Sequence, residues 1–223
     1  MTTTSMTPTL IEEDEIVVPT IPMSYEEYLA WCEAEEGNRG EWVDGEVIPF
    51  MTTSARHQRI HRFLFGLIAN YLDLRRVGEV FSQTFEMRSR ERAAREPDLV
   101  VLLDVHRDRL ENVRIRGAAD LAVEIISPDS VTRDRRVKLA EYAAAGVPEY
   151  WLVDPRQGRE RLEVFLLDGT GEYVAIEPDA DGRLRSTVLP GLSVDPAWLT
   201  VDELPSVVEL SMEMASHQGH AGL

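Results

Sequence analysis

Hydrophobic positions in the middle of the chain follow two different patterns. From residue 60 to residue 72 they recur every three or four positions, which predicts an amphipathic helix capped at Thr53 or Ser54. Residues 99–103 and 121–126 are almost entirely apolar, as expected for neighbouring central strands that are covered on both faces. A long helix beside such strands predicts an α/β domain built on a central sheet.

Capping and turn signals predict the elements on either side of this helix. Ser24 and Glu27 have the spacing of a capping box, which predicts a helix over residues 25–34. Asp44-Gly45 lies between two β-prone runs and predicts a two-residue hairpin turn, because both turn positions require a positive φ. Residues 80–87 alternate between apolar and polar types, which predicts a half-buried strand.

The second half of the chain is expected to add one helix and several strands. The helix runs from about Thr132 to the stop signal at Gly146, with Val137 and Leu139 among its apolar positions. The β-rich ending that follows is expected either to close the sheet or to build an interface. The strands expected in this half are residues 150–153, 162–167, 173–176 and 184–189.

The two ends of the chain lack the patterning of the middle. Residues 1–20 are rich in Thr, Pro and acids and are expected to form a disordered tail. Residues 201–223 carry a short apolar stretch that fades into Ser, His, Gln and Gly, so we expect a C-terminal tail that forms a loose helix. No linker divides residues 21–200, which are therefore expected to be a single domain.

Composition limits the compartment in which the protein works. Cys32 is the only cysteine, which is typical of a chain that folds in the reducing cytoplasm without a disulfide. Residues 1–16 lack the basic stretch and the apolar run of a signal peptide, and no apolar run is long enough to cross a bilayer. We therefore expect a cytoplasmic protein that does not insert into a membrane.

The net charge of −17 argues against a general affinity for nucleic acid, since phosphate contacts need lysine or arginine. Arginines are concentrated between residues 88 and 136, however, so a local basic strip is possible within an acidic chain. Arg133, Arg135 and Arg136 are the candidates for contacts with DNA phosphates. A solvated helix face is an equally good interpretation of these three residues.

Two carboxylates occupy unexpected positions in the apolar runs. Asp98 opens one run and Glu124 lies in the middle of the other, where an unpaired charge costs several kcal/mol. If the two strands are neighbours, both acids can converge on one cation, and such a pair with open water positions is the usual way to hold Mg²⁺ or Mn²⁺ for phosphate chemistry. The alternative is a buried pair neutralised by an arginine such as Arg95 or Arg116.

An ordered set of short motifs resembles the Uma-two family of bacterial restriction-endonuclease-like proteins, within the PD-(D/E)XK nuclease superfamily. The resemblance covers roughly residues 23–199 and depends on the whole set rather than on one motif. The motifs are YEEY at 25–28, VDGE at 43–46, HQ at 57–58, EPDLVV at 96–101, VEIISP at 123–128, DRRVK at 134–138 and GVPEYWLVDP at 146–155.

The resemblance implies the restriction-endonuclease-like fold, a mixed central sheet flanked by helices with extra hairpins. It also implies that Asp98 and Glu124 are metal ligands. The usual lysine position holds Ile126, which departs from the superfamily motif, and Lys138 on the following helix is the residue that takes the lysine's catalytic role. The competing interpretation of Lys138 is a solvated surface charge paired with Asp134 or Glu141 at helical spacing.

Two further residues, Glu46 and His57, match positions that are occupied by an acid and a histidine in the family. The resemblance implies that Glu46, just after the hairpin turn, reaches the metal directly or through water. The alternative is that this acid only increases the solubility of the hairpin. His57 corresponds to a histidine that contacts phosphate, carries a proton or is a structural group. His57 and His61 also have the spacing of a zinc pair, but no third ligand is evident.

Three functions are consistent with the sequence. The first is a Mg²⁺- or Mn²⁺-dependent endonuclease that hydrolyses phosphodiester bonds in DNA with a metal-activated water. The second is a catalytically inactive binding or scaffold protein on a nuclease fold, which forms a homodimer or a higher homo-oligomer. The third is an enzyme that acts on a smaller nucleotide or phosphoester.

Overall fold

The computed structural model describes residues 16–35, 37–83 and 85–216. Most of the expected N-terminal tail lies outside these ranges, so its disorder stays a prediction. A π-helical turn at Arg133–Lys138 leads directly into the third helix, and 3₁₀ turns lie at Asp104–Arg109 and Pro196–Thr200. The α-helices are α1 (Tyr25–Ala34), α2 (Ala55–Arg75), α3 (Leu139–Ala145) and α4 (Val207–Ser216).

The strands form two main sheets and one short pair. Their bounds are β1 (Ile21–Pro22), β2 (Gly40–Val43), β3 (Glu46–Pro49), β4 (Gly78–Ser82), β5 (Glu86–Arg90), β6 (Ala93–Arg95), β7 (Leu99–Leu103), β8 (Arg114–Arg116), β9 (Leu121–Ile125), β10 (Glu149–Asp154), β11 (Arg161–Leu167), β12 (Tyr173–Ala175), β13 (Leu184–Arg185) and β14 (Ser193–Val194). The central sheet has the order β12-β11-β10-β9-β7-β4, the second has the order β1-β3-β2-β6-β5-β8, and β13 pairs with β14.

The central sheet is mixed, as predicted. β7 and β9 are antiparallel neighbours, whereas β9 and β10 are parallel and are joined through the π turn and α3. Alternate side chains of β9 point to opposite faces, so Val123 packs with α2 on one face and Ala122 packs with Tyr142 of α3 on the other. The continuous apolar runs in the sequence therefore reflect a sheet covered on both faces.

The hairpin β2-β3 organises the second sheet. Asp44 and Gly45 have φ values of +52° and +94°, the two positive angles that the Asp-Gly signal predicts. Tyr28 of α1 packs against Trp42 and Val47 of this hairpin. Both reciprocal bonds of the predicted capping box hold the start of α1.

One predicted strand is divided between the two sheets. The chain leaves the central sheet after Ser82 and enters the second sheet at Glu86, so residues 80–87 are not a single strand. Alternation along the sequence indicates a half-buried strand, but it carries no information about which partner each half pairs with. The change of partner is therefore a tertiary feature.

The C-terminal part is more closely integrated than a tail. α4 packs on α2 through Val207, Leu210 and Met214, because this apolar face covers the outer surface of the long helix. The expected strand 184–189 is reduced to β13, and residues 217–223 of the expected tail lie outside the described ranges. Of the helices described, none combines the length and apolar character that a membrane crossing requires.

Candidate metal-binding and catalytic site

A cavity of ≈ 640 Å³ lies where the central sheet meets the second sheet, the start of α2 and the π turn. Its wall includes the buried side chains of His57, Glu124, Asp134 and Lys138, although most such groups in proteins are exposed. The side chains important for its chemistry are His57, Gln83, Glu96, Asp98, Glu124, Arg133, Asp134 and Lys138.

The register of β7 and β9 brings the two predicted carboxylates together. Leu99 pairs with Val123, so the preceding residue, Asp98, lies opposite Glu124. Both side chains line the cavity. The structure thus brings together the two residues that the sequence analysis selected as metal ligands.

Asp98 is held by groups from three elements. Its Oδ2 accepts the Ile125 backbone N–H at 2.7 Å and lies 3.6 Å from Nε2 of His57, while its Oδ1 accepts from Nε2 of Gln83 at 3.2 Å. Burial raises the pKa of Asp98, but the hydrogen bond and charge of His57, together with the Ile125 amide, lower it below its ordinary value. Asp98 is therefore an anion at neutral pH.

Glu124 is only 3 % exposed and uses one oxygen for its contacts with protein. Oε1 accepts from Nζ of Lys138 at 2.8 Å and from the Tyr142 hydroxyl at 2.7 Å. The other oxygen, Oε2, accepts no hydrogen bond from residues 16–35, 37–83 or 85–216. Burial raises the pKa of Glu124 to about 8 against the opposing effect of the Lys138 ammonium, so this carboxyl gains from any further positive charge in the cavity.

Lys138 lies inside the protein, with an exposed fraction of 3 %. Besides Glu124, its Nζ lies 2.9 Å from Oε1 of Glu41 and 3.4 Å from Oδ1 of Asp134. Burial lowers the pKa of Lys138, but the three carboxylates raise it well above its ordinary value. Of the competing interpretation, the pairing with Asp134 is present, but the surface position of Lys138 is wrong, and Glu141 pairs instead with Arg90 and Arg95.

The π turn explains this burial. Its i→i+5 hydrogen bonds add a residue to the turn and change which side chains face the sheet. Val137, expected on the apolar face, is 43 % exposed, whereas Asp134 and Lys138 point inward. Insertions of this kind recur at functional sites because they reorient side chains that a regular helix would present to solvent.

Glu41 is a buried acid behind the site wall, in contact with Lys138, that the sequence analysis missed. It is fully buried on β2 and pairs with Arg95 at 2.9 Å as well as with Lys138. Burial opposes ionisation of Glu41, but Lys138 and Arg95 lower its pKa to about 2. In the sequence, Glu41 is a glutamate beside Trp42 at the start of a predicted strand. A solvent-facing glutamate would have the same pattern, so only the position of the second sheet shows that Glu41 is buried.

Glu96 is a second acid that sequence reasoning did not select. Its Oε1 accepts from the Tyr28 hydroxyl at 3.0 Å, and burial raises its pKa to about 7. Its Oε2 is buried without a hydrogen-bond partner in the described part of the chain, as is Oδ1 of Asp134. The position two residues before Asp98, within the EPD motif, was the signal that could have found it.

The structure does not bring Glu46 to this cavity. Glu46 is exposed beside the hairpin turn, where it pairs in register with Pro22 of β1. Glu41, at the other end of the same hairpin, is the acid that reaches the cavity wall through its ion pair with Lys138. The hairpin thus contributes its acidic side chain from β2 rather than from β3.

The predicted arginine strip is divided by the structure. Arg133 lines the cavity and lies 3.6 Å from Asp129. Arg135 points elsewhere and pairs with Asp154 at 3.0 Å and Glu163 at 2.6 Å. Arg136 is exposed on the outer side of the π turn, so the three residues do not form one surface.

His57 and His61 both contact Asp98 but do not form a zinc pair. His57 approaches the carboxylate, and its Nδ1 has no hydrogen-bond partner among the residues described. Nε2 of His61 lies 3.1 Å from the backbone carbonyl oxygen of Asp98. Burial lowers the pKa of His57, but the hydrogen bond and charge of Asp98 raise it above its ordinary value.

The oxygen atoms that face the cavity suit a hydrated divalent cation. The described ranges contain no group of three or more His, Cys, Asp or Glu side chains able to enclose a metal ion. Mg²⁺, however, commonly uses one or two carboxylates and keeps several waters. Asp98, the open Oε2 of Glu124 and the Oε2 of Glu96, which has no hydrogen-bond partner among the described residues, fit such a hydrated cation rather than a closed cage.

Comparison with known proteins agrees with the fold and the motifs. A solved structure of a putative nuclease belonging to DUF820 from Anabaena variabilis has a TM-score of 0.61 and 22 % identity, and the match covers 80 % of this chain and 97 % of that chain. No match was found among curated proteins. Residues 25–202 match the model of the Uma2 family, described as "Putative restriction endonuclease". This chain, with its restriction-endonuclease-like fold, therefore belongs to the Uma2 family.

Proposed function

We propose that this protein is a cytoplasmic endonuclease that hydrolyses phosphodiester bonds in DNA with the help of Mg²⁺ or Mn²⁺. The observation that carries the proposal is the cavity in which Asp98 and Glu124 lie opposite each other across β7 and β9 while the Lys138 ammonium contacts Glu124. Two acids and a lysine facing one space are the parts needed to bind a cation and a phosphate together.

Asp98 and Glu124 would hold the cation. When bound, the cation supplies Lewis-acid activation of a water and offsets charge on the phosphate. The open Oε2 of Glu124 supports this assignment, because its other oxygen is fixed by Lys138 and Tyr142 and the carboxylate plane is therefore held in one orientation.

Lys138 and His57 supply positive charge near the scissile phosphate. Lys138 positions Glu124 and adds a fixed charge that offsets the negative charge developing on the nonbridging oxygens. His57 orients Asp98, and its buried Nδ1 is available to hold a proton or a phosphate oxygen at the cavity wall. Water has limited access to these groups, which strengthens their electrostatic effect.

Cleavage assays with matched acidic variants test the proposal. Supercoiled plasmid and single-stranded DNA are incubated with Mg²⁺ or Mn²⁺ and the purified protein, D98N, E124Q and E46Q. We expect cleavage by the protein and by E46Q, whose side chain is exposed outside the cavity, and a loss of at least about 100-fold in D98N and E124Q. Cleavage that persists in D98N and E124Q, or that is lost equally in E46Q, would overturn the assignment.

One observation favours the alternative of a non-catalytic binding protein. The Lys138 ammonium is enclosed by carboxylates from Glu41, Glu124 and Asp134, so much of its charge is already balanced within the protein. Calorimetric titration with Mn²⁺, read together with the cleavage assays, separates the nuclease from the non-catalytic binding protein. A protein that binds Mn²⁺, loses this binding in D98N and cleaves no DNA would support the binding function.

The expected homodimer or higher homo-oligomer belongs to the same proposal. β12 is an edge strand of the central sheet, and its Val174 is half-exposed, which is a common arrangement at sheet-mediated interfaces. Sedimentation velocity of the protein and of Val174→Lys tests this. We expect a dimer that dissociates in the variant, and a monomer in both samples would contradict it.

A further inference from the structure

A second and larger groove opens beside the candidate site. It has a volume of ≈ 1250 Å³ and lies between the first turn of α2, the loop that follows β10 and the segment around Leu199. Its wall carries Arg56, Arg59, Arg156 and Arg159, none of which was selected from the sequence.

The groove is continuous with the site cavity. Thr52, Thr53, His57 and Ser127 line both spaces, so a chain-like ligand can extend from one into the other. The common wall includes the first turn of α2, a helix of 21 residues whose N-terminal end adds a partial positive charge. The groove is thus positioned to receive the part of a substrate that does not react.

The local charge of the groove is opposite to that of the whole protein. The chain has 40 acidic and 23 basic residues, yet among the described residues that line the groove the acids are Glu160 and Asp202, against the arginines named above. A concave basic surface on an acidic protein concentrates the field that attracts polyanions. Asp154 balances the charge of Arg156, so the local excess of positive charge comes from Arg56, Arg59 and Arg159.

Two of these arginines are held in place by the protein. Arg156 donates from Nε and Nη2 to the carboxylate of Asp154 at 2.9 and 2.8 Å, and Nη2 of Arg56 donates to the backbone oxygen of Leu199 at 2.6 Å. Arg59 and Arg159 are exposed along the same groove. Guanidinium groups at the wall and at the opening of the groove form a series of potential phosphate contacts.

We propose that this groove binds the sugar-phosphate backbone of the DNA strand that continues beyond the scissile phosphate, with Arg59 and Arg159 in direct contact with phosphates. The inference rests on the proposed function, because it assumes that the substrate reaches Asp98 and Glu124. In this proposal the groove replaces the arginine strip predicted at residues 133–136 as the DNA-binding surface, because Arg135 of that strip forms ion pairs with Asp154 and Glu163.

Salt dependence of binding tests the groove separately from catalysis. Fluorescence anisotropy with labelled single-stranded and duplex oligonucleotides is measured in EDTA, where cleavage is prevented, over a series of salt concentrations. The samples are the unsubstituted protein, the double variant R59Q/R159Q and the control R136Q, which removes an exposed arginine outside the groove. Thermal melting verifies that all three proteins are folded.

Loss of two phosphate contacts should reduce the slope of log K against log salt by about 1.4 for single strands or about 1.8 for duplex DNA. We expect this reduction in R59Q/R159Q and an unchanged slope in R136Q, and the DNA form that shows the full reduction expected for it identifies the strand type that occupies the groove. Equal slopes in the double variant and the control, or no binding by the unsubstituted protein at low salt, would overturn the inference.

The two proposals fail in distinguishable ways. If the unsubstituted protein does not cleave DNA but R59Q/R159Q reduces the salt slope, the groove stands and the nuclease assignment falls. If the protein cleaves DNA but R59Q/R159Q changes neither the slope nor KM, the nuclease assignment stands and the groove falls.

Discussion

Nζ of Lys138 lies 2.8 Å from Oε1 of Glu124, although fourteen positions separate the two residues along the chain. The contact forms because β9 presents Glu124 to the face of the sheet that the π turn covers, and the π turn directs Lys138 inward. The site therefore obtains its lysine from the covering helix, while Ile126, at the usual lysine position, is completely buried in the core.

The pair should be essential for stability. Lys138→Met leaves the carboxylates of Glu41 and Glu124 buried without their common partner, and breaking a buried pair in this way costs about 3–5 kcal/mol. Without the lysine the buried Glu124 carboxyl takes up a proton, so the double variant K138M/E124Q, which carries a neutral amide there, should be about as stable as K138M alone. Urea unfolding gives the free energy of unfolding of the unsubstituted protein, K138M and K138M/E124Q. A loss of less than about 1 kcal/mol in K138M would contradict the buried network.

Glu41 should make stability depend on acid pH. Its pKa falls from about 4.5 in the unfolded chain to about 2 in the folded protein, so its stabilising contribution is complete above pH 4.5 and is lost as the pH falls towards 2. That shift corresponds to about 3 kcal/mol. The difference in unfolding free energy between the protein and E41Q should therefore shrink between pH 4.5 and pH 2, and a difference that is constant over this interval would contradict the assignment.

Glu149 should anchor the C-terminal segment to the central sheet. Its carboxylate accepts from the indole of Trp151 at 2.6 Å and from the backbone N–H of Thr187 and Val188 at 2.8 and 3.1 Å. Glu149→Ala leaves the buried indole N–H of Trp151 unsatisfied, at about 1–3 kcal/mol, and removes the acceptor of the two partly buried amides, at about 0.5–1.5 kcal/mol each.

Chemical unfolding compares this variant with Glu172→Ala, a change at an exposed position. We expect a loss of at least about 2 kcal/mol in Glu149→Ala and a change within about 0.5 kcal/mol in the control. Similar unfolding curves for the two variants would show that the buried carboxylate does not anchor the segment.

The π turn can be tested through the two apolar side chains near its end. Val137 is exposed, so Val137→Glu should change the unfolding free energy by no more than about 0.5 kcal/mol. Leu139 packs against the core on the second face of the sheet, so Leu139→Glu should cost more than about 2 kcal/mol. If residues 133–139 formed a regular α-helix, the order of the two effects would be reversed, and Val137→Glu would cause the larger loss of unfolding free energy.

The sequence by itself determined the elements with strong local signals. The hairpin at Asp44-Gly45 and the start of α1 at Ser24 follow from steric and hydrogen-bond requirements within a few residues. The central strands follow from continuous apolar runs, and the placement of Asp98 and Glu124 follows from their register once those strands are neighbours. Burial cost also marked these two acids as unusual before any contact was known.

Tertiary structure alone decided which other charges share the site. Glu41 contacts Lys138 only because the second sheet lies beside the π turn, and Lys138 points inward only because that turn is wider than an α-helix. The arginines of the groove come from residues 56–59 and 156–159, which are distant in sequence and meet through the packing of α2 near β10. Charged residues carry no periodic signal of their own, so their burial depends on which surfaces the completed fold brings together.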